Sequence, residues 1–512
     1  MALKFVKSII KSASKGVAYD PEVQKVVARF TRFFGFVKKR LTPDEKFGLI
    51  LTLGATAALF FIFLFFDICF NLIGNDPLVA ADLRIINLIQ IFRDPALNKI
   101  MLFVTYLGNW QVILLGLIFV CSYLAMVKRF YYLLALTFST GGAVIFGEAV
   151  KYIFARPRPA LINTLVAADG FSFPSGHMFI ALAFYGLIAY FIFHRQKNYW
   201  LKFFAVLISA LLVLAIGFSR VYLGVHWPSD VLASLVAGLA LLAVSITALE
   251  MRRKFSHRTR GTFLFTSQTR LIANCLMFLI WSGFVIYFFN IHPLLVNQKL
   301  PLEQKVILNA TDIPDDLFSR LPKTSETIVG TPMEPINIII VGKKEDLQQN
   351  FIKAGWFQTD PLTPRTLWRL TKASILDQPY EQAPGTPTFW DTRPNDFSFA
   401  QETTERSVRE RHHIHFWETP FVLPDGRSVW FATAHFDKNI QLAKNIFPAH
   451  VIDPAIDKER DKIKSDLRAT GQVELVREFK IVEPTLGKNQ AGDAFFTDGK
   501  TEIIFLAVQP KK

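Results

Sequence analysis

The sequence predicts an all-α polytopic membrane domain of about seven transmembrane helices, followed by a soluble α+β domain. Three observations predict it. Apolar segments of about 20 residues, the length needed to cross a bilayer core, recur between residues 46 and 296. Past Asn297 the composition turns to Pro, Asp, Thr and charged residues, in short runs that alternate as strands do. The formal charge of +15 is also uneven: 28 Lys and Arg face 30 Asp and Glu from Asn297 onward, leaving 29 against 12 upstream. The basic excess therefore belongs to the membrane part, where it lies beside apolar spans and reads as topology and attraction to anionic lipid. No recognisable nucleic-acid-binding motif accompanies it, so no nucleic-acid partner is expected. The implied divisions are a basic leader (1–45), the membrane domain (46–296) and the soluble domain (297–512).

The leader carries Lys4, Lys7, Lys11, Lys15, Lys25, Arg29, Arg32, Lys38, Lys39 and Arg40, with Val26, Val27, Phe30, Phe33, Phe34 and Val37 near helical spacing. That pattern fits either an amphipathic helix on the cytoplasmic leaflet or a solvated leader that sets orientation. Leu41–Glu45 supplies a helix start, with Thr42 as cap and Pro43 in the first helical position. The first span covers about Gly48–Phe70. The stretch from Asn71 to Gly108 is only moderately apolar, and Leu83, Ile86, Ile89 and Ile91 suggest an interfacial helix. Further spans run about Trp110–Met126, Tyr131–Phe154, His177–Phe193, Trp200–Phe218, Pro228–Leu249 and Leu271–Ile291. Lys128, Arg129, Arg195, Lys197, Lys202 and the run from Arg252 to Arg270 then alternate onto one side, the cytoplasmic one. No cleavable signal peptide is expected, because a long charged leader precedes the first span. Cys69, Cys121 and Cys275 all lie in or near apolar spans, so no disulfide staples the soluble half.

Three polar clusters close or open these spans on the opposite face: Lys151–Pro159 (KYIFARPRP), Pro174–His177 (PSGH) and Ser219–Asp230 (SRVYLGVHWPSD). Lys151, Arg158 and Arg220 converging on one point imply an anion with several negative oxygens, most simply a phosphate. Ser175 and Gly176 before a helix offer a hydroxyl and close backbone N–H groups to that anion. His177 can protonate a leaving group. Asp230, four residues after His226, is placed to bond one ring nitrogen and leave the other as a nucleophile. Guanidinium and ammonium groups supply the positive charge, so no metal or other cofactor is expected. Glu148 is expected to pair with Lys151, and Arg156 to line the mouth.

The spacings K-x6-RP, PSGH and SR-x5-H-x3-D resemble the three signatures of the type 2 phosphatidic acid phosphatase superfamily, which includes membrane lipid phosphatases and vanadium haloperoxidases. All three are complete and in order. The resemblance implies a helical-bundle phosphatase core in which His226 forms a phosphohistidine, Asp230 supports it and His177 is the acid. Lys151, Arg158, Ser175, Gly176 and Arg220 would hold the phosphoryl group. The implied substrate is a membrane lipid phosphate or diphosphate, of the polyprenyl diphosphate or phosphatidic acid class. Alternatives are a phosphotransferase with a headgroup acceptor, a vanadate-dependent peroxidase, and a non-enzymatic envelope or secretion component. Burial among spans argues against the peroxidase, and the intact pocket against the last. In a double-membrane bacterium the setting is the inner membrane, with clusters and soluble domain on the periplasmic face.

In the soluble half, Pro335–Gly342, His413–Glu418, Ser428–Phe436, Val473–Val482 and Glu502–Val508 read as strands, and Glu345–Trp356 and Ala455–Thr470 as helices. Pro379–Phe399 reads as irregular. Arg409–Trp417 (RERHHIHFW) and Asp457–Ile463 (DKERDKI) resemble the LssY-type C-terminal domain attached to membrane phosphatases of this superfamily. His412, His413, His415, His435, Asp437, His450 and Asp453 include a same-face histidine set. With no tight ligand spacing, solvated or hydrogen-bonded histidines are expected rather than a metal. This half, residues 297–512, is expected to gate lipid entry or to bind an envelope protein partner.

Overall fold

Apolar segments between residues 48 and 291 form helices, and short alternating runs beyond 305 form a sheet. The computed structural model describes residues 31–42, 48–74, 77–159, 164–255, 266–291 and 305–507, apart from 311–312, 314, 377, 404–409, 443–447 and 490–491. The leader up to Phe30, the helix start at Pro43–Glu45, the basic residues Arg258 and Arg260, and the division at 296/297 lie outside the described residues.

Helix α1 (Thr31–Leu41) ends in Lys38, Lys39 and Arg40. The membrane part then runs α2 (Leu49–Gly74), α3 (Pro77–Gln90), α4 (Pro95–Leu107), α5 (Trp110–Met126), α6 (Phe130–Phe154), α7 (Gly176–Arg195), α8 (Tyr199–Tyr222), α9 (Pro228–Phe255) and α10 (Ser267–Ile291). Six of the described helices are long and apolar enough to cross a membrane, and α4 with α5, bent by 47°, makes a seventh if the pair is one span. The stretch expected to hold one interfacial helix therefore holds two helices, the second leading into a bent span. The break has a local cause: Gly108 ends α4, and Asn109 caps α5 by accepting from the Gln111 N–H.

Half of α7's apolar stretch is buried, a larger share than in the other five single-helix candidates. Its Ala181, Ala183 and Ala189 are buried, and Leu182 lies so close to Gly238 of α9 that a Cβ there would stand 2.6 Å from a Leu182 methyl. Small residues let these backbones approach where lipid supplies no hydrophobic drive. The packing fixes the N-terminal ends of α7 and α9 side by side.

Among the described residues, the C-terminal half is built on a nine-stranded sheet. Its main strands are β1 (Ile338–Gly342), β2 (Phe357–Gln358), β3 (Phe397–Glu402), β4 (Arg411–Val422), β5 (Ser428–Leu442), β6 (Val473–Lys480) and β7 (Lys500–Leu506). They lie in the order β6-β7-β1-β5-β4-β3-β2, antiparallel except for β7 beside β1. Both faces are covered, so β1 reads as one unbroken apolar run. Ile338 and Ile340 pack with Leu347, Phe351 and Ile463 from helices Lys344–Lys353 and Ile456–Ala469, while Ile339 and Val341 pack with Leu317 and Phe431. Pro379–Phe399 is not wholly irregular: Phe389–Trp390 and Arg393–Pro394 are short strands, and Phe397 opens β3. Phe397 to Ala400 are all buried, which hides the period-2 signal, and β3 forms by pairing with the later β4.

Candidate active site

The last turn of α6 carries Lys151, whose ammonium pairs with Glu148 at 2.7 Å as expected. Ala155 turns the chain out of the helix in the left-handed conformation (φ 44°). The loop that follows brings Arg158 across to the α8–α9 connection. There its Nη1 donates to the Val225 carbonyl (2.7 Å) and lies 3.3 Å from His226 Nε2, and its Nη2 donates to the Asp169 carbonyl (2.9 Å). Gly176 opens α7 within reach of the first cation: a Cβ at this position would be 3.5 Å from Lys151 Nζ. Ser175 Oγ is buried without a hydrogen-bond partner among the described residues. Arg220, buried at the end of α8, donates through Nη1 to Thr105 Oγ1 (2.9 Å), while its Nε has no partner among the described residues.

His226 is 2% exposed, and its Nδ1 is 2.8 Å from the Ser172 carbonyl. A carbonyl can only accept and a guanidinium can only donate. Nδ1 therefore carries the proton, and Nε2 keeps its lone pair toward Arg158. Asp230 Oδ2 stands farther off, 3.4 Å from Nδ1, and accepts from the Trp227 N–H (2.9 Å). The nearest acceptor to Nδ1 is therefore the Ser172 carbonyl, where Asp230 was expected to bond one ring nitrogen. Burial, then the Arg220, Arg158 and Lys151 cations, hold His226 well below the ordinary histidine value, so the imidazole is neutral at pH 7.

Arg156 corrects a second expectation. It does not merely line the mouth: it is largely buried, with Nη1 donating to Asp230 Oδ1 (2.6 Å) and Nη2 to Asp82 Oδ2 (2.7 Å). Asp82 comes from α3 and also accepts from the backbone N–H (2.9 Å) and hydroxyl (2.5 Å) of Ser229. Sequence reading missed Asp82, Ser172, Ser229 and Thr105. Only Arg156 had a visible signal, an extra cation inside a matched motif; the others join the site through contacts distant in sequence.

Lys151, Arg158, Gly176, His177, Arg220 and His226 line one cavity of about 1260 Å³; Ser175 and Asp230 stand outside its lining. From this polar end the cavity continues between helices along Ile113, Leu114, Leu117, Val144 and Ile145.

Two of the soluble-half histidines are buried, and a third stands beside them. His413 and His415 are 1% and 2% exposed on β4, with His435 opposite His413 on β5, and ring centroids lie 5.6 to 6.3 Å apart. The segment Ala383–Gly385 covers them, with Arg411 donating to the Ala383 carbonyl (3.1 Å). Asp437 Oδ2 is 3.7 Å from His413 Nε2. His412 pairs with Glu459 (2.8 Å) and Asp453 with Lys438 (2.7 Å). Among the described residues no group of three or more His, Cys, Asp or Glu is placed to hold a metal ion, and the His450 side chain lies outside them.

The chain has relatives among known proteins. A profile of the PAP2 superfamily matches residues 132–254, and one of the LssY C-terminus matches residues 318–501. Phosphatidylglycerophosphatase B of Bacillus subtilis is 32% identical over 181 residues, which cover 35% of this chain and 89% of that protein. An undecaprenyl-diphosphatase of Sulfolobus acidocaldarius is 31% identical over 196 residues, 37% of this chain and 89% of that one. A solved PAP2-type phosphatidylglycerolphosphate phosphatase from Bacillus subtilis aligns with 40% of this chain and 98% of its own, at 29% identity and a TM-score of 0.35.

Proposed function

The chain belongs to the PAP2 superfamily and is a multi-pass membrane lipid phosphatase, and from that premise we propose that it dephosphorylates a long-chain lipid phosphate or diphosphate through a phosphohistidine on His226. His226 Nε2 attacks phosphorus, the bond to the leaving oxygen breaks, and His177 gives that oxygen a proton. Water, deprotonated by His177, then attacks the phosphohistidine and releases inorganic phosphate and free imidazole. Lys151, Arg158 and Arg220, which line the cavity, neutralise the equatorial oxygens as charge builds. Asp230 stabilises the imidazolium-like ring of the intermediate from 3.4 Å.

The observation that carries the substrate class is the cavity, which joins the cations and both histidines to an apolar passage between helices. A phosphate at His226 leaves its tail room to stay among α5, α6 and the bilayer. Polyprenyl diphosphate is the leading substrate, with phosphatidic acid or phosphatidylglycerol phosphate as the alternatives. The basic residues Arg129, Arg195 and Arg252–Lys254 at the ends of α6, α7 and α9 support a cytoplasmic side there, and with it the reading that the site faces outward from a bacterial inner membrane.

The test is hydrolysis by purified full-length protein of these lipids and of a water-soluble sugar phosphate, with and without EDTA. Lipids are expected to turn over far faster, to retain turnover in EDTA, and to leave acid-labile phosphate on His226 after rapid quenching. Equal turnover of the sugar phosphate, or a phosphorylated residue other than His226, overturns the reading.

A further inference from the structure

Helix α3 touches both halves of the molecule. At 14 residues it lies outside the candidate spans, and its Asp82 is 1% exposed with both oxygens occupied: Oδ1 by the Ser229 N–H, Oδ2 by the Ser229 hydroxyl and Arg156. Arg156 is thus a fork between two buried carboxylates, Asp82 and Asp230. Its position, and through it that of Asp230 behind His226, depends on where α3 lies. Two residues on, about 200° around the helix, Arg84 points the other way. It donates through Nε to Glu326 Oε1 (3.0 Å) and through Nη2 to Oε2 (2.7 Å), a two-point grip on the soluble domain. Glu326 Oε1 also accepts from the Thr392 N–H (2.6 Å), and Asn87, one turn along α3, donates to the Thr392 carbonyl (3.0 Å). Gly330, at φ +82°, lies flat against the guanidinium, where a Cβ would come within 2.8 Å of Nη2.

We propose that α3 couples the C-terminal domain to the catalytic site: Arg84 fastens the helix to Glu326, and Asp82 is a positioning residue that sets Arg156 and thereby Asp230. The inference rests on the reading of His226 as nucleophile. It gives the C-terminal domain a part in catalysis without giving it a reacting group. None of Asp82, Arg84 or Glu326 lines the cavity, so the coupling acts on turnover and leaves substrate binding alone.

The experiment measures kcat and KM of full-length variants on a lipid phosphate in detergent, with thermal unfolding of each variant recorded alongside. Asp82→Asn, nearly isosteric but uncharged, is expected to lower kcat about 10- to 100-fold, the usual loss when an orienting partner is removed, with KM unchanged. Glu326→Gln and Arg84→Gln are expected to lower kcat by less. The double variant Asp82→Asn/Glu326→Gln is expected to fall no further than Asp82→Asn alone, because both act through one helix. Wild-type kcat in Asp82→Asn, or losses that multiply in the double variant, overturns the proposal. If Asp82→Asn does not fold, the exchange Arg84→Glu with Glu326→Arg decides. Slow single variants restored in the pair support the coupling; singles at the wild-type rate, or a pair that stays slow, overturn it. His226→Ala in the same assay separates the two levels. If it is active, the reading of the site fails; if it is inactive beside a wild-type Asp82→Asn, only the coupling fails.

Discussion

At the scale of single residues, the site is a set of charges held in fixed positions by partners that do not react. His226 is oriented from both nitrogens, by the Ser172 carbonyl at Nδ1 and the Arg158 guanidinium at Nε2. His226→Ala is therefore expected to abolish hydrolysis, whereas Asp230→Asn should retain a measurable rate, since Ser172 still holds the ring while the carboxylate charge and one of the bonds accepted from Arg156 and Trp227 are lost. Rates of the two variants on one lipid phosphate check the order, and equal loss in both contradicts it. The pH profile follows from the same surroundings. Burial and three cations favour the neutral ring, so protonation, which would remove the proposed nucleophile, is expected only below the ordinary histidine pKa of 6.5. The acid limb of kcat/KM, which reports the free enzyme, should lie below that value; an acid limb at or above it is the contrary result.

At the scale of elements, the spans were legible because about 20 apolar residues between polar loops admit few other readings. Trp110–Met126 has the bounds the sequence suggests, and the clusters at Lys151, Ser175 and His226 fall at helix ends, where a pattern of apolar run and polar edge put them. Asp82 was illegible for the opposite reason: one carboxylate in a moderately apolar helix carries no sign that its partners stand 74 and 147 residues away. Strand β3 was hidden in the same way, by pairing with β4. The α7–α9 contact that brings the PSGH and His226 segments together depends on a residue that looks unremarkable in sequence, Gly238 against Leu182. Gly238→Val is expected to force these helices apart, a cost of about 1–3 kcal/mol for an overpacked core. It should lower both the melting temperature in detergent and kcat, although position 238 touches no substrate. A melting temperature and kcat both at wild-type values argue against this role for the contact.

At the scale of the whole molecule, the contact between Arg84 and Glu326 bears on topology as well as on the proposed coupling. Helix α3 meets the site through Asp82 and the C-terminal domain through Arg84, so both lie toward the same end of the helical bundle. Helix α9 starts beside that site at Pro228 and ends at the basic run Arg252–Lys254. For the chain to return to the mouth, α10 must cross the bilayer, and its Leu271–Ile291 stretch of 21 residues is long and apolar enough to do so. Reporters fused after Lys254 and after Pro510 are therefore expected to report opposite sides, cytoplasmic and outer respectively. If both report the cytoplasm, α10 does not span. Glu326 could then not reach Arg84 on a site facing outward, and the outer-face assignment and the coupling through α3 could not both stand. Because Arg84→Glu leaves the apolar length of every span unchanged, it is expected to leave both reporter signals unchanged while lowering turnover. That separates a domain on the wrong side of the membrane from a domain that has lost its grip on α3.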